Sequence, residues 1–565
     1  MSRRADRTSL PPLLRLGLAY FIREERLGAL AMLVFSLGLS VATAALGPIL
    51  NARSGALVTA LSSGTSASLR AAVFAFFGIL VVYIAVASVY EYLLNLLPIR
   101  WRRWLTIRVL ERYFHGRAFY RLGFEATIDN PDQRIAEDVG SFTQMSVVLS
   151  LLAVSAPSSV VFSTIALWHT STLLAEVLLA YGVVSTVFAV VVFQRRLTAL
   201  NVRQLQLEAD FRSSLARVRS GAEAIAFLRG EEREAAELAA RFVPVYHVQN
   251  RIYRWSDVYL NGFNLTIANI PALLPVVLLA PQVLSGHLAV GVVVQSSGNA
   301  AGIISGFGAL SGALSGLAGI FASTVRVNAM LAALGEQPRS RDAIVVFDAE
   351  TLAVDRLALA TPDGAPLFDG LSVEVPRGAA LLVTGPSGSG KSSFLRALAG
   401  LWRRGTGRIA RPPLESMLFL PQRPYLPAGT LRDQLQYPHR DTPLPDDALR
   451  AALTAVGLRG LAERSGGFDV ERPWEAMLSA GERQRLAFAR LLLANPRYAL
   501  LDEASSALDP ADEAALYRLL RARGITLVTV GHRASLGALH DRVVLIRDGR
   551  AITASPHDAF GREAS

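Results

Sequence analysis

The run Gly385-Pro386-Ser387-Gly388-Ser389-Gly390-Lys391-Ser392 has the spacing of a phosphate-binding loop, and Lys391 is the only lysine among 565 residues. Every other basic side chain is arginine. A compact ammonium on a flexible stem enters a loop wrapped around β- and γ-phosphates, whereas a planar guanidinium is too wide, which gives the exception a chemical reason. Backbone amides from Gly388 to Ser392 are expected to cradle phosphate. The binding segment then comprises Gly385, Ser387, Gly388, Ser389, Gly390, Lys391, Ser392 and Ser393, with the Ser392 hydroxyl on Mg²⁺. Downstream, Tyr498-Ala499-Leu500-Leu501-Asp502-Glu503 is an apolar run ending in two carboxylates. Asp502 is expected to hold the metal through water, and Glu503 to polarise the water that attacks phosphorus.

Such groups need a strand that ends beside them and a helix that starts on them. The apolar run at 379–383 precedes the loop, and a helix is expected over 391–401. Strand-like runs at 380–384, 416–420, 498–501, 526–530 and 543–546 alternate with helical segments. They predict an α/β domain over 346–565 with a mostly parallel sheet. A polar linker, 336–345, separates it from a region of different character at 1–335.

That region is apolar. With 52% hydrophobic residues overall, the chain is too long for one ordinary domain and too apolar for two soluble ones. The stretches 28–52 and 71–90 carry no charge, 142–194 carries only Glu176 and is divided at His169-Thr170-Ser171, and 258–325 is uncharged with a break near 281–287. Six spans follow, at about 28–52, 71–95, 144–168, 171–194, 258–281 and 287–325, each able to cross roughly 30 Å of hydrocarbon. Seven arginines over 100–121 and eleven over 195–254 put both long loops and both termini in the cytoplasm by the positive-inside rule. The formal charge of +11 therefore suits loops beside anionic lipid and not nucleic acid. With no cysteine there are no disulfides and no Cys-based metal or redox sites. The start, with Arg3 and Arg4, shows no cleaved signal, and 13–21 reads as an interfacial entry helix.

The two long loops are expected to be helical. They are interrupted at Ile128-Asp129-Asn130-Pro131-Asp132-Gln133, where Asp or Asn caps a helix with proline at its first position, and at Phe227-Leu228-Arg229-Gly230-Glu231-Glu232. Both read as ordinary helix termini or as short transverse helices touching the α/β domain. Span six holds Gly302, Ser305, Gly306, Gly308, Ser311, Gly312, Ser315, Gly316 and Gly319, small residues that favour close helix packing and are compatible with a polar pathway. Glu176 is a functional candidate, because an intramembrane carboxylate is expensive.

Between the loop and the paired carboxylates comes Leu478-Ser479-Ala480-Gly481-Glu482-Arg483-Gln484. With it the chain resembles an ABC transporter, whose usual signature is Leu-Ser-Gly-Gly-Gln; Ala480 and Glu482 depart from that pattern. Leu420-Pro421-Gln422, Ser506-Ala507-Leu508-Asp509 and Gly531-His532-Arg533 match further motifs in the right order. The resemblance implies an α-helical six-span membrane domain of exporter type (type IV) fused to an α/β P-loop ATPase. It also implies ATP and Mg²⁺ as ligands, Gln422 and His532 acting with Glu503, Gln422 also on the metal, and Ser479, Gly481, Glu482 and Asp509 at the nucleotide of a second copy. A chain with one P-loop is then a half-transporter, expected to homodimerise. One family element is missing, since Thr361 stands where an adenine-stacking aromatic is expected.

Ile99-Arg100-Trp101-Arg102-Arg103-Trp104-Leu105-Thr106, the 128–135 run, Glu223-Ala224-Ile225-Ala226-Phe227 and Leu420-Pro421-Gln422-Arg423-Pro424-Tyr425 look like the peroxisomal fatty-acyl transporters (subfamily D). Their bacterial relatives, associated with cobalamin, bleomycin and antimicrobial peptides, share the likeness. This implies ATP-driven uptake of bulky hydrophilic solutes such as peptides or cobalamin across a bacterial inner membrane. Fatty acyl-CoA or lipid movement, or export, is the alternative. A soluble ABC-type ATPase has no use for six uncharged spans, and a proton-driven permease has none for ATPase motifs.

Overall fold

The computed structural model describes residues 17–24, 26–124, 128, 130–335, 344–438 and 443–554, without certain helical side chains such as those of 313–320. Arg3, Arg4, Asp129, the linker over 336–343 and the side-chain surroundings of Ser315, Gly316 and Gly319 lie outside the described residues. The chain divides into two compact units, Met1–Glu336 and Gln337–Ser565.

The first unit is helical because a chain in hydrocarbon must satisfy its backbone groups internally. Helices α1 (Arg26–Ser63) and α2 (Ser66–Phe114) meet at a tight turn where Thr65 accepts from the Ser68 amide at 3.3 Å. Helices α3 (Val139–Trp168) and α4 (Thr172–Ala189) meet where the sequence divides, with Ser171 accepting from the Leu174 amide at 3.3 Å. Helix α5 (Arg195–Ser220) continues this line, and Ala222–Leu228 (α6) ends at Arg229 in the left-handed region. Helix α7 (Glu231–Tyr253) then starts with Glu231, Glu232 and Glu234 against its own dipole. Helices α8 (Asn261–Leu284) and α9 (Val290–Gly335) complete the unit. Asn130 precedes Pro131 as expected, but it is left-handed and its side chain makes no capping bond.

Among the described residues five helices are long and apolar enough to cross a membrane: Leu27–Ser62, Ser66–Gly123, Pro131–Trp168, Thr172–Ser220 and Glu231–Leu284. The sixth expected span falls on α9. Glu176 is exposed in the second turn of α4, roughly 6–8 Å along its axis, so it stands near the end of its span and not at its middle.

The glycines of α9 divide by face. A Cβ on Gly302 would lie 2.4 Å from Ser163 Oγ and one on Gly306 2.6 Å from Val160 Cγ2, both on α3. On the side of α1, a Cβ on Gly291 would meet Gly55 O at 1.8 Å and one on Gly298 would meet the Asn51 side chain at 2.5 Å. Asn51 itself donates to Asn299 Oδ1 at 2.9 Å. Gly308 and Gly312 face open space.

The second unit is built on one ten-stranded mixed sheet. Its strands are β1 (Val345–Asp348), β2 (Leu352–Ala360), β3 (Pro366–Val375), β4 (Ala380–Thr384), β5 (Gly405–Arg411), β6 (Met417–Leu420), β7 (Tyr498–Asp502), β8 (Thr526–Val530), β9 (Arg542–Arg547) and β10 (Arg550–Ala554). Their order is β1-β5-β2-β3-β10-β9-β4-β8-β7-β6. The five runs expected from sequence form a continuous parallel block, β9-β4-β8-β7-β6, and β1 with β5 and β10 with β3 are parallel as well. The sheet is less parallel than expected, because β2 pairs antiparallel with β3 and β5, and β10 with β9. Strands β4 and β8 are buried on both faces, which is why they are mainly apolar and carry no charge.

Candidate active site

The loop after β4 needs glycine for two separate reasons. At Gly385 (φ +150°) a Cβ would lie 2.2 Å from Ile546 O, and Gly390, capping the next helix at φ +98°, is left-handed. Helix α10 (Lys391–Leu398) begins directly on it. It stops three residues short of the expected end, because Gly400 at φ +72° donates to Ala397 O and Leu401 to Arg396 O.

Lys391 is 8% exposed. Its Nζ donates to Gly385 O at 2.8 Å and to Pro386 O at 2.7 Å, so the ammonium folds over its own loop. Burial pushes its pKa down, against the opposing pull of the Glu503 and Asp502 charges. Ser389 Oγ is buried with no hydrogen-bond partner. Gly388, at φ +80°, has open space on the side where a Cβ would stand, Ser387 is exposed and Ser393 is buried within α10.

Strand β7 delivers the carboxylates. Asp502 Oδ1 accepts from Ser392 Oγ at 2.9 Å; burial raises its pKa, partly countered by that bond and by the Arg396 charge. Glu503 follows at φ +47°, a strained conformation for a non-glycine residue, held by its amide donating to Val530 O at 3.0 Å. Gln422 Nε2 donates to Glu503 Oε2 at 2.8 Å, and His532 Nδ1 stands 3.8 Å from Glu503 Oε1. Lys391, Ser392, Asp502, Glu503, Gln422 and His532 thus converge.

The signature residues make bonds of their own. Ser479 caps α11 (Ala480–Ala494): its hydroxyl accepts from the Glu482 amide at 3.3 Å while its own amide donates to Glu482 Oε2 at 2.9 Å. Arg464 Nη2 donates to Glu482 Oε1 at 2.6 Å. The burial that would raise the Glu482 pKa is outweighed by the Ser479 amide and Arg464, and the net shift is downward. Gly481 faces Ala507, whose carbonyl oxygen would lie 3.3 Å from a Cβ. Asp509 caps α12 (Pro510–Ala522) by accepting from the Asp512 amide at 2.8 Å. Among the described hydrogen bonds and ion pairs, none joins Ser479, Gly481, Glu482 or Asp509 to Lys391, Ser392, Asp502 or Glu503.

Two side chains without a role in the sequence reading connect these pieces. Gln484, 3% exposed on α11, donates to Gln422 O at 3.4 Å and to Ser506 Oγ at 3.1 Å, and accepts from the Ala507 amide at 2.8 Å. Arg533 donates to Leu508 O at 2.8 Å and to Ser506 O at 2.7 Å. Their residue types alone carried no signal, since both depend on which loops meet. Thr361 closes the β2–β3 turn, its hydroxyl accepting from the Ala365 amide at 3.0 Å.

The site suits a nucleotide triphosphate with its metal. It presents an unpartnered buried hydroxyl, an ammonium over glycine-rich backbone, and the hard oxygens of Ser392 and Asp502 that Mg²⁺ prefers. A family model described as ABC transporter transmembrane region 2 matches residues 19–284, and one described as ABC transporter matches 368–506. An ABC transporter ATP-binding protein of Synechocystis sp. is 39% identical over 487 residues, 84% of this chain and 73% of the relative. ABC transporter D family member 2, chloroplastic, of Arabidopsis thaliana is 34% identical over 538 residues, 81% of this chain and 74% of the relative. Lysosomal cobalamin transporter ABCD4 of Mus musculus is 32% identical over 502 residues, 81% and 82%. The chain belongs to the ABC transporters, with relatives in subfamily D: it is a multi-pass membrane protein whose ATPase domain binds ATP with Mg²⁺ and couples hydrolysis to transport.

Proposed function

We propose that two copies of this half-transporter assemble in a bacterial cytoplasmic membrane, each with six spans of exporter type and its ATPase domain in the cytoplasm, and that they take up bulky hydrophilic solutes such as peptides or cobalamin. The observation that carries the driving step is the convergence of Gln422 and His532 on Glu503 beside Lys391 and Asp502. Glu503 accepts the proton of the water that attacks the γ-phosphorus, and Gln422 and His532 hold its carboxylate from two sides. Lys391 and the amides of Gly388 to Ser392, with Gly385, Ser387, Ser389, Gly390 and Ser393 shaping the loop, bind the phosphates. Ser392, Asp502 and the Gln422 carboxamide oxygen would hold Mg²⁺, which when bound neutralises charge on the phosphates. Ser479, Gly481, Glu482 and Asp509, which no described hydrogen bond or ion pair joins to the P-loop of their own chain, serve the nucleotide of the second copy.

For the solute, the support lies in the uncharged membrane helices. Residues 258–325 hold no cation that would bind an acyl-CoA phosphate, while Asn51 and Asn299 form a neutral polar contact and Gly308 and Gly312 leave α9 open. The relative named as a lysosomal cobalamin transporter agrees with that reading. The test is the full chain in vesicles, supplied with ATP and offered labelled cobalamin, a proline-rich peptide or an acyl-CoA. Accumulation and stimulated hydrolysis with cobalamin or peptide are expected; stimulation by acyl-CoA alone would overturn the assignment in favour of lipid movement.

A further inference from the structure

Gln422, Glu503 and His532 stand on three different loops, so their mutual distances depend on whatever ties those loops together. The segment 503–509 lies between the other two, and most of its polar groups are already spoken for. The Glu503 amide donates to Val530 O, and Ser505 Oγ donates to Glu513 Oε1 at 2.5 Å. Ser506 Oγ and the Ala507 amide bond to Gln484, which also reaches the Gln422 carbonyl. The carbonyls of Ser506 and Leu508 both accept from the guanidinium of Arg533, the residue that follows His532. Arg533 Nη1 is in turn 3.6 Å from Glu513 Oε2, a carboxylate only 1% exposed.

We propose that Arg533, backed by Glu513, is a positioning residue for hydrolysis: it locks the loop of His532 to the loop of Glu503, while Gln484 locks the loop of Gln422 to the same segment. A planar guanidinium reaches two carbonyls at once along parallel directions. A lysine ammonium, a point donor on a shorter side chain, lacks that fixed two-pronged fork. The arrangement matters because the attacking water must be in line with the γ-phosphorus when Glu503 takes its proton, and a displacement of about 1 Å costs on the order of 10²-fold in rate. None of these side chains is asked to touch the nucleotide, so ATP binding should be spared.

The inference rests on the reading of Glu503 as the base, and the experiment separates the two. Full-length Arg533→Met, Arg533→Lys, Gln484→Met and Glu503→Gln proteins are reconstituted, and kcat and KM for ATP are measured together with the thermal shift produced by ATP. Arg533→Met and Gln484→Met should lose roughly 10- to 100-fold in kcat with KM within about threefold and the ATP shift retained. Arg533→Lys should fall between Arg533→Met and wild type. A kcat for Arg533→Met within about twofold of wild type, or a loss of kcat matched by loss of the ATP shift, would overturn the positioning role. Hydrolysis by Glu503→Gln at the wild-type rate would instead overturn the assignment of the base.

Discussion

Lys391 is held by two carbonyls of its own loop, and burial lowers its pKa while the Glu503 and Asp502 charges act the other way. A lysine with a depressed pKa becomes the neutral, nucleophilic amine at lower pH than an exposed one. An amine-directed reagent should therefore modify Lys391 with a pH midpoint below the ordinary lysine value, and saturating ATP should protect it. As the chain has no other lysine, peptide mapping reads the result directly; a rate unaffected by ATP would count against Lys391 as a phosphate ligand. This site was legible in the sequence because its chemistry is local, a glycine at each left-handed position and the one ammonium beside them. Gln484 and Arg533 were not, because their partners lie on loops whose meeting the sequence does not state.

At the scale of elements, α9 shows how far composition reaches. Its many small residues announced close packing, and that is found at Gly302 and Gly306 against α3 and at Gly291 and Gly298 against α1. Which glycine faces which neighbour, and that Gly308 and Gly312 face none, depends on how α9 is rotated against its neighbours, which a run of equivalent small residues does not fix. Gly298→Leu must displace Asn51 and its bond to Asn299, so it should destabilise the protein by about 1–3 kcal/mol as overpacking does, lowering the melting temperature in detergent. Gly312→Ala adds a methyl to open space within the helix and should not lower that temperature. The sheet offers a similar lesson. Of the five parallel strands, β4, β7 and β8 were legible as mainly apolar runs buried on both faces, while the alternating burial of β2 and β3 reads weakly and hid the antiparallel part.

At the scale of the whole molecule, no described hydrogen bond or ion pair joins the signature residues to the P-loop of their own chain, in keeping with the proposal that a second copy completes each site. Lys391→Ala and Ser479→Arg should each abolish hydrolysis in homodimers. Co-reconstituted, they form mixed dimers in which one site unites an intact P-loop with an intact signature, so activity should return; its continued absence would argue that the copies do not complete one another's sites. The central proposal is that Glu503 is the group through which ATP hydrolysis drives transport. The most direct test is vanadate-sensitive ATP hydrolysis by the full chain in vesicles, wild type against Glu503→Gln. The substitution removes the proton acceptor while preserving the shape of the side chain, and a loss of roughly 10²- to 10⁴-fold in kcat with ATP binding retained is predicted. Hydrolysis continuing at the wild-type rate would contradict the account.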